Sequence, residues 1–288
     1  MKLVQKFTVA YLRGKFKLLS SISPKKAAEQ AFDLFCTPRS RNTKPLPAVF
    51  REAEPLSFRF QQHEVAGYRW NKDAGKRILI IHGFESSVIN FDKYIKPLVK
   101  MGYEVLAFDA PAHGRSGGRR ITALVYRDFI KDLMHRYGPM NAYMAHSFGG
   151  LALTLALAEL KHDDRCRLVL IAPATETKTA IDQFFQFLHL QDSEVRKEFE
   201  RIISRAAGHP SSWFSIGRSL KHIQARILWL HDADDKITPL ADAKKIKDEN
   251  HSNIKFIVTQ GLGHSRIYRD AEVRKIILTF FNTGENAS

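Results

Sequence analysis

From residue 77 onward, short unbroken runs of Val, Ile, Leu and Phe alternate with stretches in which apolar residues recur every three or four positions. The runs are RILIIHG (77–83), YEVLAFDA (103–110), AYMAHS (142–147), CRLVLIAPA (166–174), ARILWLHD (225–232) and KFIVTQG (255–261). Helix-length segments fall between several of them, at 88–101, 121–136, 148–161 and 240–249, with a last one at 268–282. A strand buried on both faces reads as a continuous apolar run, and an intervening helix returns the chain to start the next strand parallel. The pattern predicts an α/β fold, a mostly parallel sheet flanked by helices. In such a sheet ligands gather beyond the carboxyl ends of the strands.

Upstream, LSFRFQ (56–61) and EVAGYRW (64–70) alternate as a two-stranded hairpin would. Between 174 and 225 the connection is too long for one crossover and contains IDQFFQFLHLQ and SEVRKEFERIISRA, which read as helices and predict a lid. The expected division is therefore a helical basic extension at 1–52, a core at 53–173 and 224–288, and a helical cap at 174–223. Within the extension SPKKAAEQAFDLF is helical and CTPRSRNTKPLPAVF is broken by three prolines. Leu3, Phe7, Tyr11 and Leu18 fall near one face of a first helix, and the uncharged run FTVAYL is too short for a signal-peptide core or a membrane span.

Composition narrows the class. With 288 residues, 44% hydrophobic and 26% charged, the chain is an ordinary globular protein able to bury a sizeable core. The two cysteines, Cys36 and Cys166, share no motif and suit a reducing, cytoplasmic compartment. Of the net charge of +15, residues 1–45 carry +8, ten Lys/Arg against Glu29 and Asp33. No nucleic-acid-binding signature accompanies this charge, so nucleic acid is not an expected partner. The basic helix is expected either to pack on the main domain or to bring residues 1–20 into peripheral contact with an anionic inner-membrane surface.

Candidate chemistry centres on YMAHSFGG (143–150), where Ala145-His146-Ser147-Phe148-Gly149 occupies a G-x-S-x-G slot with alanine first. Small residues two before and two after the serine let strand and helix backbones pass at a tight turn. A serine hydroxyl needs a histidine to accept its proton, and His264, in the glycine-bracketed GLGHS after the last strand, is best placed. The histidine in turn needs a carboxylate. After ILWLH three aspartates compete, Asp232, Asp234 and Asp235; Asp235 is preferred for the Lys-Ile-Thr spacer leading to Pro239, and Glu176 is a weaker candidate. The order Ser147, Asp235, His264 is the one α/β-hydrolases use. The backbone N–H groups of Phe84, in HGFESS, and Phe148 are the expected oxyanion donors. Of DAPAHGRSGG (109–118) a rim-shaping turn is expected, with His113 structural. HExxH and glycine-rich phosphate loops are absent, and neither metal nor cofactor is expected.

HGFESS, DAPAHGRSGG, AHSFGG, HDADDKITP and GLGHS, in that order over roughly 60–270, resemble the α/β-hydrolases of the monoacylglycerol lipase, esterase and serine aminopeptidase type. The resemblance implies a sheet of about eight strands with a helical cap, nucleophile Ser147, acid Asp235, base His264 and oxyanion donors Phe84 and Phe148. The expected activity is hydrolysis of an acyl ester of a small or lipid-like molecule. Peptidase, thioesterase and C–C hydrolase chemistry use the same three residues, and a non-catalytic ligand binder is the alternative from another class. Phe184, Phe185, Phe187 and Trp213 are the candidate substrate-binding residues of the cap.

Overall fold

The computed structural model describes residues 3–282, with side chains from Phe7 onward; Met1, Lys2, the side chain of Leu3 and the last six residues of the expected core lie outside it. The chain opens with α1 (Leu3–Ile22) and α2 (Pro24–Cys36), then the hairpin β1 (Glu54–Phe60) and β2 (His63–Trp70). There follow β3 (Lys76–Ile81), α3 (Asp92–Lys100), β4 (Tyr103–Phe108), α4 (Ala123–Tyr137), β5 (Ala142–His146), α5 (Phe148–Leu157) and β6 (Arg167–Ile171). Helices α6 (Thr177–Leu188), α7 (Ser193–Ala207) and α8 (Ile216–Leu220) lead to β7 (Arg226–Asp232), α9 (Leu240–Asp248), β8 (Ile254–Thr259), α10 (Gly263–Arg266) and α11 (Ala271–Asn282).

Residues 38–175 and 216–282 form one compact unit around an eight-stranded sheet in the order β1-β2-β4-β3-β5-β6-β7-β8. The pairs β1–β2 and β2–β4 are antiparallel, and every pair from β4 to β8 is parallel. Ile78 to Ile81, Leu168 to Ile171 and Ile227 to Leu230 are almost wholly buried, as strands covered on both faces must be. The last apolar run is different. β8 pairs on one side only, its residues are at most half-buried and Val258 is 43% exposed, because it is the edge of the sheet.

The strand order fixes where a ligand can go. From β3 the chain turns to β4 on one side, and from β5 it turns to β6 on the other. The crevice outside the carboxyl ends of β3 and β5 is thus a topological switch point. Residues 82–84 and Ser147 occupy those two ends.

The segment after α2 belongs to the sheet unit from residue 38 onward, not to an extension reaching to 52. Trp70 Nε1–H donates to the Val49 carbonyl at 2.9 Å, and the Phe50 ring stands edge-on to Tyr68 at 4.8 Å and Trp70 at 5.1 Å. These contacts tie 48–52 to β2.

Residues 3–37 and 176–215 make a second, helical unit of α1, α2, α6 and α7. Ser23 caps α2 by accepting from the Lys26 N–H, and Pro24 presets the first turn. Ala27, Ala28 and Ala31 are fully buried, a small-residue face that lets helices approach closely. Phe199 of α7 fills the centre, with Phe185 at 5.2 Å, Phe32 at 5.7 Å and Phe35 at 5.8 Å, all edge-on. Asp192 caps α7, and Gly208 ends it at φ +70°.

The aromatic residues expected to bind substrate all lie in this unit. Phe185 is buried against Phe199 in the core of the helical unit, and Phe184, half-buried, packs edge-on to Phe35 at 5.2 Å. Phe187 lies under the Arg13 guanidinium at 5.9 Å and Trp213 stacks flat on His209 at 4.3 Å. Among the described side chains of α1, Phe16 is buried, while Phe7, Tyr11 and Leu18 face outward. No helix of the described residues is long and apolar enough to cross a membrane.

Phe199→Ala empties the middle of this aromatic cluster and should lower stability by about 3–5 kcal/mol, read as the shift in a denaturant unfolding transition. Phe7→Ala, at an exposed position, should stay within about 0.5 kcal/mol of the parent.

Candidate active site

Ser147 sits where β5 ends and α5 begins, at φ +55° and ψ −127°. A residue with a side chain adopts this conformation only at a cost of about 1–3 kcal/mol, so its surroundings must over-determine it. They do so through the backbone: the Ser147 N–H donates to Ile171 at 3.1 Å, and its carbonyl accepts from Gly150 at 2.9 Å and Ala174 at 3.0 Å. The neighbours must also be small. A Cβ on Gly149 would lie 2.4 Å from the His82 carbonyl oxygen, and one on Gly83 would lie 2.8 Å from Ser147 Cβ. Ala145, wholly buried, fits the slot two residues before the serine.

His264 Nε2 lies 2.9 Å from Ser147 Oγ, and its Nδ1 lies 2.8 Å from Asp235 Oδ2. These three residues, 117 and 29 positions apart along the chain, are therefore brought into one hydrogen-bonded line. Asp235 has a fully buried side chain. Burial pushes its pKa up, but hydrogen bonds from His264 and Thr238 outweigh that and hold the carboxyl below its ordinary value. Its Oδ1 accepts from the Ile237 N–H at 2.8 Å and the Thr238 N–H at 3.0 Å. The Thr238 hydroxyl is 2.8 Å from Asp235 Oδ2, 3.1 Å from the Ala172 carbonyl and 3.1 Å from His264 Nδ1. It thus ties the aspartate loop to the end of β6.

Asp232 has a separate task. It accepts from Thr259 Oγ1 at 2.7 Å and from the N–H groups of Gly263 at 2.8 Å, Asp234 at 3.0 Å and Leu262 at 3.1 Å. Burial acts to raise its pKa; these donors prevail and hold it low. One carboxylate shapes the loop that carries His264, and the other meets the imidazole. Asp234 accepts from the Gly261 N–H at 2.9 Å on the outside of the same loop. Glu176 lies in the helical unit and accepts from the Ser215 hydroxyl at 2.8 Å.

Four further histidines act as neutral struts. His113 accepts from the Glu85 N–H at 3.1 Å and donates to the Pro111 carbonyl at 3.0 Å. His82 accepts from the Ala110 N–H at 2.9 Å and donates to the Gly83 carbonyl at 2.7 Å. His231 accepts from Trp229 Nε1–H at 3.3 Å and donates to the Thr238 carbonyl at 2.6 Å. His146 donates from Nε2 to the His264 carbonyl at 3.0 Å; its Nδ1 is buried and meets no partner among the described residues. An imidazole with one donor and one acceptor joins two backbone groups only while neutral. Burial enforces that state, pushing His113 and His146 down to about 3 and lowering His82 and His231 as well.

The N–H groups of Phe84 and Phe148 follow Gly83 and Ser147 and donate to no acceptor among the described residues. Their rings meet edge-on at 5.9 Å, and Phe84 also packs edge-on to His113 at 5.5 Å. The 109–118 loop is braced by Asp109, which accepts from the Arg115 N–H at 2.9 Å and the Val88 N–H at 3.1 Å. Thr238, the His146 contact and the bracing role of Asp232 were not foreseen from sequence. Only the position of Asp232 at a buried strand end hinted at one of them.

The buried histidines predict an acid-sensitive fold. In the unfolded chain each takes up a proton near its ordinary pKa of 6.5, whereas folded His113 and His146 do so only near 3. Between those values the unfolded state holds more protons, so their stabilisation is complete above 6.5 and declines as pH falls. The slope for this pair reaches about 2.7 kcal/mol per pH unit. Denaturant midpoints measured from neutral pH down should begin to fall below about 6.5, before carboxylate titration; a flat profile to about 5 would refute the assignment.

With this geometry in view, comparison with known proteins is informative. The family described as serine aminopeptidase, S33, matches residues 72–208, just under half of the chain. The bifunctional esterase/perhydrolase DCH of Acinetobacter calcoaceticus is 25% identical, the match covering 74% of this chain and 95% of that protein. The uncharacterized hydrolase YugF of Bacillus subtilis is 32% identical over 96 residues, and there the chain spans only 35% of its relative's length. Among solved structures, the Pyrococcus furiosus esterase Pf2001 superposes with a TM-score of 0.64 at 19% identity, covering 86% of this chain and 98% of the esterase. A mostly parallel sheet of this order, together with the matches to hydrolases and esterases, gives the chain the α/β-hydrolase fold and marks it as a hydrolase.

Proposed function

We propose that the chain hydrolyses a carboxylic ester through an acyl-enzyme on Ser147. The observation that carries this reading is the unbroken line Ser147 Oγ, His264, Asp235, with contacts of 2.9 and 2.8 Å, beginning on a strained turn at the sheet's switch point. On this reading His264 Nε2 takes the Ser147 proton as Oγ attacks the ester carbonyl. Asp235 holds the Nδ1–H tautomer and stabilises the imidazolium that forms. Charge developing on the carbonyl oxygen is met by the N–H groups of Phe84 and Phe148, each such donor contributing about 3 kcal/mol to barrier lowering. The tetrahedral intermediate collapses as His264 returns the proton to the departing alkoxide. Water, deprotonated by the same imidazole, then attacks the acyl carbonyl, and the acid leaves as Ser147 recovers its proton.

The esterase activity named for the Acinetobacter relative favours an ester over an amide as the bond cleaved. Residues 176–215, inserted between β6 and β7, take the place of a cap in the chain order.

The test is intact mass after incubation with a fluorophosphonate, together with hydrolysis of p-nitrophenyl esters of graded acyl length. One adduct on the parent, none on Ser147→Ala, and a fall in kcat of about 10⁶-fold for Ser147→Ala and His264→Ala are expected. Asp235→Asn should cost about 10⁴-fold, whereas Asp234→Asn should cost little. An unmodified, folded parent protein would refute the acyl-enzyme reading and favour a ligand binder; cleavage of aminoacyl amides without esters would replace esterase by peptidase.

A further inference from the structure

Helix α1 has two apolar faces, and only one of them is covered. Phe16 is 2% exposed, on the face that packs against α2 and α6. On the side away from it, Phe7, Tyr11, Leu18 and Ile22 are 69, 69, 64 and 71% exposed. At 3.6 residues per turn these four span about 60° of the helix circumference, a stripe four turns long. The other exposed large hydrophobics of the described residues stand singly, Ile237 in the loop after β7 and Val258 on β8. A helix on a protein surface ordinarily turns a polar face to water, and a continuous apolar stripe there marks an interaction surface.

Charge says what covers it. Helix α1 carries Lys6, Arg13, Lys15 and Lys17 and no acidic residue, and the first acid of the chain is Glu29. Arg13 is turned to the helical unit, its Nε donating to the Phe187 carbonyl at 2.9 Å. Lys15 and Lys17 are exposed, one on each side of the stripe, and Lys25 and Lys26, also exposed, follow Ile22 by three and four residues in the first turn of α2. A second copy of this helix would set lysines against lysines. A nucleic acid could stack on Phe7 and Tyr11 but offers nothing apolar to Leu18 and Ile22. An anionic lipid surface supplies both partners, acyl chains for the stripe and phosphates for its border. With four cations in 20 residues α1 cannot cross a bilayer, which leaves it lying in the interfacial plane.

We infer that α1 docks the protein on an anionic lipid surface, with Phe7, Tyr11, Leu18 and Ile22 inserted among the acyl chains and Lys15, Lys17, Lys25 and Lys26 against the headgroups. This docking stands independently of the ester chemistry, and its readout is binding alone.

Co-sedimentation of the full chain with vesicles of phosphatidylcholine, or of phosphatidylcholine with phosphatidylglycerol as the minor lipid, tests it. The parent should partition onto the anionic vesicles only, and less so as salt rises. Lys15→Glu with Lys17→Glu should weaken partitioning by about fivefold or more for each lysine. Phe7→Ser with Leu18→Ser should weaken it by at least about tenfold. Both pairs are exposed, and unchanged unfolding midpoints would show that the fold is intact. Binding that survives the Phe7/Leu18 change, or no binding to either vesicle, overturns the proposal. A solution dimer abolished by Phe7→Ser with Leu18→Ser, without vesicle binding, would also overturn it and assign the face to a second copy.

Discussion

The His264 imidazole stands 2.9 Å from Ser147 Oγ and 2.8 Å from Asp235 Oδ2, while its own carbonyl accepts from His146 Nε2 at 3.0 Å. One residue is thereby held at three points by two strand ends. The dipeptide His146-Ser147 grips both its ring and its backbone, which fixes the approach of the β8–α10 loop to β5 in position and in rotation. That loop has to reach across two strands, since β6 and β7 lie between β5 and β8. What carries it there is Asp232 at the end of β7, whose carboxylate gathers the N–H groups of Leu262 and Gly263. A buried carboxylate that accepts several N–H bonds is a rigid, charge-assisted anchor, and it allows the adjoining Asp235 to face the imidazole instead.

Burial sorts the polar groups of the site into two kinds. The aspartates meet enough donors to stay ionised in spite of it. The histidines around them stay neutral because of it, and two of them, His82 and His113, each join two backbone groups in loops that could not otherwise pair. The loop bearing Phe84 is an example: His82 and His113 hold it from both sides at Gly83 and Glu85, with Glu85 itself at φ +53°. Its backbone N–H is thus presented by a frame, without relying on its own conformational preference. Such preorganised dipoles cost no reorganisation when charge develops near them.

Most of the sheet was legible because each buried parallel strand is a local signal, a run of four or more apolar residues with its own bounds. The Ser147 turn was legible for the same reason: tight backbone crossing leaves small residues at fixed offsets. His264 and Asp235 could be proposed from their places after strands and now lie within hydrogen-bonding distance of each other. What sequence left hidden depends on pairing across long separations. Nothing in 3–37 announces that it shares a unit with 176–215, since both are amphipathic helices and any such helix fits several partners. Helical spacing alone could not say which rings Phe184 and Phe185 would meet, and Phe35 and Phe199 are the partners beside them. Thr238 is a spacer in sequence and a junction in space.

Helix α1 shows the ambiguity at its sharpest. Its sequence has apolar residues at 7, 11 and 18 on one side and at 16 on another, and periodicity alone leaves open which side meets the core. The structure gives the core to Phe16. Folding therefore leaves the richer face of α1 unused. Retaining four large apolar side chains in water gains the folded monomer nothing and raises the risk of aggregation. Their alignment, bordered by lysines and free of acids, is what an interfacial helix requires and what a purely structural helix does not.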